Sequence, residues 1–358
     1  MDTQLPLKVI LESRTYLIYN FRSFTYSELY SSIADLLCDS EPTFDIMIPN
    51  PTKWILISDN DGFASYIQYS VSPIIYIVYP HTPCLIRVQT YNLSTNTKQS
   101  KWRMRVHMIA QQIKEISADI IALQDVSSKS HSRSAKNIEK TGKNKKKTVK
   151  TCDTLKDLME LLPEYSYSYW HISHRRHNGD TEGIAIISRF PIIETKSIKL
   201  AKYPKSVHND SCLKVIIDHP KRKLSIYNAQ LASDSKYQAH QAYEIYSFMN
   251  SEESPFLMQV LLADTNIKDN FSLPADFLEG KFPVNSAIGN LKDAWKFSHV
   301  KSEGYTFPSW HPLHRYDRIY YRNIEDPPIC EVAGYAENSH MYASEHCSVY
   351  ADFIVAIE

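Results

Sequence analysis

The densest apolar run in the chain ends abruptly in polar residues. Residues 256–263, FLMQVLLA, are typical of a buried strand, and Asp264, Thr265 and Asn266 follow directly. Asp and Asn often end strands in turns, because their side chains hydrogen-bond to the adjacent backbone. One such ending, taken alone, favours a turn over a functional site.

The same kind of ending recurs along the chain. Strand-like runs also stop at Asn92, Asp125 and Gln230, and His346 stands at the start of the final run. If these ends meet at one rim of a sheet, their carboxylate and amide oxygens suit a hard divalent cation. The amides and the histidine could hydrogen-bond a phosphate without adding negative charge. The pattern therefore predicts a metal and phosphate site at that rim.

The composition is that of an ordinary globular protein without a dominant charge. The 358 residues include 40 Lys plus Arg and 40 Asp plus Glu, so no net field favours nucleic acid or an acidic membrane. The six cysteines form no CxxC pair, which argues against a zinc site and favours a nuclear or cytoplasmic location. We expect no signal peptide and no membrane span, and no glycine-rich phosphate loop occurs.

The pattern divides the chain into two parts. Residues 1–82 are predicted to run strand, strand, helix and further strands, with Thr25 capping the helix, which is a ubiquitin-like order. The sequence PHTPC at 80–84 is the expected linker, and residues 85–358 form the second, strand-rich domain. Within it, the lysine-rich residues 127–150 predict a disordered basic insertion, either a solvated linker or a nuclear-import or nucleic-acid patch.

An ordered series of motifs in the second domain resembles the endonuclease/exonuclease/phosphatase superfamily. The motifs are TYN at 90–92, DIIALQD at 119–125, GIAIISRFPI at 183–192, YNAQL at 227–231, ADTN at 263–266, YDRIYY at 316–321 and SEH at 344–346. The resemblance implies an α/β fold, a four-layer sandwich of two packed mixed sheets flanked by helices. It also implies Mg²⁺- or Mn²⁺-dependent phosphoester cleavage, and the motifs look most like the branch that removes tyrosyl adducts from 5′ DNA ends.

The resemblance assigns a role to each candidate residue. Asp125 would hold the metal with Asn92 beside it, and Asp317 would contribute near the metal edge. Asp264 would activate water, Asn266 would hold the phosphate, and His346, oriented by Glu345, would stabilise the phosphorane. Arg315 would lie near the phosphate. Trp295 is either substrate-facing or a core aromatic on a helix.

Three positions depart from the family pattern. The metal-holding residue is normally Glu and is Asp125 here; the usual His of an HL pair is Gln230; and the Asp before the terminal His is Glu345. A weakened enzyme and a catalytically silent binding scaffold therefore both remain open, as do RNA, inositol phosphate and phospholipid substrates. The N-terminal domain also resembles a PB1 module, which implies a protein partner, although IPNPTKW replaces the expected acidic cluster.

Overall fold

The computed structural model describes most of the chain. Its described residues are 5–11, 14–37, 44–49, 54–70, 73–78, 84–95, 99–129, 152–202, 210–251, 257–268, 272–324 and 326–355. None of the helices in these ranges combines the length and the apolar character that a membrane crossing requires.

The described residues between 5 and 78 form a small sheet with its own core, here called the N-terminal unit. Its elements are β1 (Leu7–Leu11), β2 (Arg14–Ile18), α1 (Tyr26–Leu37), β3 (Asp45–Pro49), β4 (Trp54–Ile57), α2 (Asn60–Tyr69) and β5 (Ile74–Val78). The strand order is β2-β1-β5-β3-β4, with β1 and β5 parallel. Thr25 caps α1 as predicted, because its Oγ1 accepts from the Glu28 amide at 3.2 Å. The identity of this unit as a ubiquitin-like module stays a prediction.

Two larger sheets follow. The first contains β6 (Cys84–Asn92), β7 (Ile120–Lys129), β8 (Cys152–Asp153), β9 (Tyr167–Arg175), β10 (Thr181–Ser188), β17 (Ile329–Ala333) and β18 (Ser348–Val355). The second contains β11 (Ile192–Lys199), β12 (Ser211–Asp218), β13 (Lys223–Gln230), β14 (Met258–Asp264), β15 (Lys292–Asp293) and β16 (Asp317–Arg322). Both sheets are mixed, since β6–β7 and β13–β14 are parallel pairs among antiparallel ones.

Four helices cover the outer faces of the two sheets: α3 (Gln99–Ile116), α4 (Thr154–Met159), α5 (Ser235–Asn250) and α6 (Leu273–Leu278). The short helix α7 (Ala294–Ser298) instead packs Ala294 and Trp295 into the core between the sheets. On β7, Ile120 and Ala122 face the core between the sheets, whereas Ile121 and Leu123 face α3. A third core lies between the second sheet and α5. The result is the predicted four-layer α/β sandwich, in which strands buried on both faces read as continuous apolar runs.

Strand register explains why polar ends meet. Asn92 pairs with Gln124 across the parallel strands β6 and β7, next to Asp125. Gln230 pairs with Asp264 across β13 and β14, and Asp264 pairs with Asp317 across β14 and β16. The core between the sheets then holds these two groups of ends at the same rim.

The basic insertion begins later than predicted. Ser127, Ser128 and Lys129 belong to β7, and the buried Ser127 exchanges hydrogen bonds of 2.9 Å with Thr154 Oγ1. Thr154 thus satisfies backbone groups that composition alone assigned to a loop. Residues 130–150, the rest of the predicted insertion, lie outside the described residues.

Candidate active site

Asp264 lies at the centre of the rim. Its carboxylate is almost fully buried and accepts 2.8 Å from Asn92 Nδ2 and 3.1 Å from the Asn266 backbone amide. Asn266 adopts a left-handed backbone with φ of 50°, which turns the chain so that its Nδ2 reaches the Leu231 carbonyl at 2.9 Å. The side chain of Asp264 is therefore held in one orientation at the end of a buried strand.

Asp125 reaches the rim through a bulge in β7. Between the pairs Gly183–Val126 and Ala185–Leu123, the two residues Gln124 and Asp125 oppose one residue of β10. Asp125 takes φ of 54°, a conformation that Asp tolerates better than most residues. Such bulges re-aim a side chain at the end of a strand. Here the bulge leaves the Asp125 carboxylate half-buried and close to the other strand ends.

Gln230 connects Asp125 and Asp264. Its Nε2 donates to Asp125 Oδ1 at 2.9 Å and lies 3.5 Å from Asp264 Oδ2. Both carboxylates therefore contact one amide nitrogen, well within the span of a single metal and phosphate site. The amide is a neutral donor, so it bridges the two acids without neutralising their charge.

His346 contacts Asp317 rather than Glu345. Its Nδ1 lies 2.9 Å from Asp317 Oδ2, and Thr306 Oγ1 donates to the same oxygen at 2.7 Å. The hydrogen bond to His346 that was expected from Glu345 is thus made by Asp317, which is 29 residues away in the chain. The backbone carbonyl of Glu345 instead accepts from the Ser309 amide at 2.7 Å.

The packing raises the pKa values of both Asp264 and His346, for different reasons. Burial raises the pKa of Asp264 to about 7, with repulsion from Asp317 and Asp125 adding to the rise while His346 opposes it. Burial alone would lower the pKa of His346, but the charge and the hydrogen bond of Asp317 raise it to about 9. Near neutral pH, His346 is therefore a cation beside a carboxylate that can exchange a proton.

The half-buried edge of the site suits a hard cation. Asp264, Asp317 and His346 bring ligand atoms within 4.8 Å of one another. A protonated His346 cannot be a metal ligand, however, and its Nδ1 already faces Asp317. Asp125 offers a more accessible carboxylate, and Mg²⁺ needs only one or two protein carboxylates. Asp317 Oδ1 is also buried without a hydrogen-bond partner among the described residues. Asp125 is therefore the carboxylate of this site that is open to a divalent metal.

Arg315 and Trp295 are placed elsewhere. Arg315 is 2% exposed and forms a bidentate ion pair with Asp293, in which Nη1 donates to Oδ2 at 2.8 Å and Nη2 to Oδ1 at 2.5 Å. Trp295 packs in the core, and its indole donates to the Ser302 carbonyl at 2.8 Å. Among the described residues, neither side chain hydrogen-bonds to the groups around Asp264. Arg315 thus differs from its predicted position near phosphate, and Trp295 takes the core position of its two alternatives.

The aromatic residues Phe307, His314 and Tyr316 form a cluster next to His346, and none of them was named as a site residue from the sequence. Phe307 lies 4.9 Å from the His346 ring and stacks on Tyr316, also at 4.9 Å. The His314 ring also stacks on Tyr316, at 5.6 Å. All three are half-buried, so they form an aromatic wall at the edge of the site. The motif YDRIYY contains Tyr316, but only the fold brings Phe307 and His314 to it.

A buried arginine also holds the two loops that carry Asn92 and His346. Arg105 on α3 donates to the Ala343 carbonyl at 2.6 Å and to the Ser94 carbonyl at 2.9 Å. Ser344 adds a second link, since its Oγ donates to the Asn92 carbonyl at 2.6 Å. The signal for Arg105 in the sequence is a cation on the predicted apolar face of α3.

Comparison with known proteins identifies the architecture. A family described as "Endonuclease/Exonuclease/phosphatase family" matches residues 90–332. Truncated TDP2 of Caenorhabditis elegans is similar at a TM-score of 0.55 and 16% identity, covering 76% of this chain and 98% of that one. A family protein of Leptotrichia buccalis scores 0.55 at 18% identity, covering 76% and 100%. The structure of D. rerio TDP2 complexed with a single-strand DNA product scores 0.53 at 16% identity, covering 75% and 98%. A comparison with curated proteins gave no match.

Proposed function

Because the chain belongs to the endonuclease/exonuclease/phosphatase family, we propose that it is a divalent-metal-dependent phosphodiesterase that removes tyrosyl adducts from 5′ DNA ends. The family's fold is that of hydrolytic phosphoesterases. The observation that carries the proposal is geometric: Asp264, Asp317 and His346 bring polar side-chain atoms within 4.8 Å of one another at one rim. Burial raises the pKa of Asp264 to about 7, and Asp317 raises that of His346 to about 9, which suits them to proton acceptance and to charge stabilisation.

In this proposal Asp264 is the general base. A base is most effective when its pKa lies near the working pH, and the Asp264 carboxylate meets that condition. It would take a proton from the water that attacks phosphorus, while the Asn92 and Asn266 donors keep its orientation. The bond between phosphorus and the tyrosyl oxygen would break, and tyrosine would leave as a phenolate that takes a proton from solvent. His346 would donate to a non-bridging oxygen of the phosphate, and Asp317 would keep the ring charged. A bound Mg²⁺ or Mn²⁺ near Asp125 would supply further charge neutralisation.

The aromatic wall supports a substrate with a flat ring. Phe307 and Tyr316 lie 4.9 and 5.9 Å from the His346 ring, so a group stacked on them would be next to the phosphate position. Nucleobases and tyrosyl rings both stack on aromatic side chains. The TDP2 structure that contains a DNA product is a fold relative and agrees with a nucleic-acid substrate.

A catalytically silent scaffold is the second candidate, and one contact favours it. Gln230 Nε2 donates to Asp125 Oδ1. The Asp125 side chain, which is shorter than the Glu usual in the family, therefore already accepts a hydrogen bond where the resemblance places the metal. A scaffold would bind its ligand at the same rim without cleaving it. RNA, inositol phosphates and phospholipids are alternative phosphoesters for an active form.

Cleavage of a defined panel tests the proposal. The panel contains a 5′-phosphotyrosyl oligonucleotide, an abasic duplex, poly(A) RNA and inositol phosphates, each with Mg²⁺, Mn²⁺ or a chelator. We expect metal-dependent release of tyrosine, and Asp264→Asn should lower turnover by a factor on the order of 10² or more with an unchanged fold. Asp218→Asn, a strand-terminal acid at the opposite rim, is the matched control and should retain activity.

Two outcomes would count against the proposal. Full turnover by Asp264→Asn would remove the general base assignment, and the absence of any cleavage with either metal would favour the scaffold. A protein partner for the N-terminal unit and a nuclear or cytoplasmic location stay predictions from the sequence.

A further inference from the structure

The N-terminal sheet has one face covered by helices and a second face that contacts the sandwich. On the helix-covered face of the adjacent strands β1 and β5, four side chains pack under α1 and α2: Leu7, Val9, Ile75 and Ile77. On the other face the neighbouring residues Ile10 and Tyr76 are 2% and 3% exposed. Both belong to the core between the two large sheets, and Met47 and Ile74 pack against that core.

The contact with the sandwich is specific as well as apolar. The Tyr76 hydroxyl donates to the Arg189 carbonyl at 2.5 Å, and the Tyr76 ring lies 5.6 Å from Phe190. Phe190 in turn meets the edge of His219 at 4.7 Å. The Lys221 amide donates to His219 Nδ1 at 3.2 Å, so Nε2 carries the proton and faces Cys84 Sγ at 3.6 Å. Tyr76 is thus linked through Phe190 to a hydrogen-bonded His219 at the end of the sandwich.

This contact is at the end of the sandwich opposite to Asp264. Arg189 and Phe190 follow the last residue of β10, His219 follows β12, and Cys84 is the first residue of β6. Asn92 is the last residue of the same β6, about 26 Å away at ~3.3 Å per strand residue. The N-terminal unit therefore touches no part of the candidate site through these residues.

We propose that the N-terminal unit is a permanently docked part of the sandwich, with the central face of its sheet bound to the rim formed by Arg189, Phe190 and His219. A protein partner cannot use that face while it is docked. The unit instead covers apolar groups at the end of the sandwich, so this face binds another part of the same chain. The proposal does not depend on the proposed catalytic activity.

Cleavage between the two parts tests this arrangement. A protease recognition sequence inserted between Val78 and Cys84 allows the folded full-length chain to be cut, and size-exclusion chromatography then shows whether the halves stay together. We expect the wild-type halves to co-elute at micromolar concentration. Ile10→Asp places a charge in the contact and should weaken association by at least tenfold on dilution.

Leu17→Asp is the matched control, since Leu17 lies on β2 on the same sheet face but is 46% exposed. Its halves should co-elute like the wild type. Tyr76→Phe removes only the hydroxyl and should weaken association less than Ile10→Asp, whereas Tyr66→Phe removes a hydroxyl bonded to Ile74 within the unit and should not. The Tyr76→Phe result stands even if Ile10→Asp fails to fold. Separation of the wild-type halves, or equal effects of Tyr76→Phe and Tyr66→Phe, would overturn the proposal.

Discussion

At the scale of single residues, Asp264 illustrates how burial at a strand end changes the pKa of a carboxylate. Its carboxylate is 1% exposed, and four nearby nitrogen donors from Asn92, Gln230 and Asn266 surround it. Donors of this kind favour the charged form, but burial has the larger effect and raises the pKa to about 7. A solvent-exposed aspartate in the same turn would be a far weaker base.

The two shifted pKa values predict the pH dependence of cleavage. Asp264 must be ionised to accept a proton, so kcat/KM should rise with pH through about 7. His346 must be protonated to stabilise the phosphate, so kcat/KM should fall as pH rises through about 9. We expect a bell-shaped profile between these values. His346→Gln should lower the rate and remove the alkaline limb; a profile unchanged by this substitution would contradict the role of the His346 cation.

The departures at Asp125 and Gln230 give a second prediction at this scale. Asp125→Glu lengthens the side chain by about 1.5 Å and moves the carboxylate beyond the Gln230 amide. A weakened enzyme should then bind Mn²⁺ severalfold more tightly in calorimetric titration, and Gln230→His should add to the gain in rate. Asp218→Glu at the opposite rim is the control. Unchanged Mn²⁺ affinity in both the single and the double variant would rule out a metal site at Asp125.

At the scale of secondary structure elements, β7 both positions Asp125 and pairs with β8. Its bulge at Gln124 and Asp125 aims the carboxylate, and its last residues pair with β8, so that Lys129 lies opposite Cys152. Antiparallel strands in such a register can be joined by a two-residue turn. The segment between these two residues is therefore not needed to connect the strands.

Replacing residues 130–151 by Asn-Gly tests this conclusion. Because Lys129 and Cys152 are already neighbours, we expect the melting temperature to change by less than about 4 °C, the shift that ~1 kcal/mol causes in a domain of this size. A matched variant that also removes Ser127 to Lys129 should be clearly less stable, since it deletes the bonds to Thr154. A large loss of stability in the first variant would show that the segment contributes to the packed structure.

At the scale of the whole molecule, the four layers decide which groups meet. The core between the sheets brings the β6–β7 ends of one sheet against the β13, β14 and β16 ends of the other. The opposite ends of the same strands receive the N-terminal unit at Ile10 and Tyr76. One end of the sandwich is thereby available for chemistry, and the other is covered by the chain itself.

The sequence alone determined the strands and the polar strand ends, because apolar periodicity and strand-ending residues are local properties of the chain. The four layers were expected only through the resemblance of its motifs to a known family. Asn92, Asp125, Gln230, Asp264, Asn266 and His346 were all named from that pattern. Only the tertiary structure decided that Asp317 rather than Glu345 contacts His346, and that Arg315 pairs with Asp293. It also decided the pKa values and the docking of the N-terminal unit. These features depend on burial and on partners distant in the chain, and both exist only once the layers have packed.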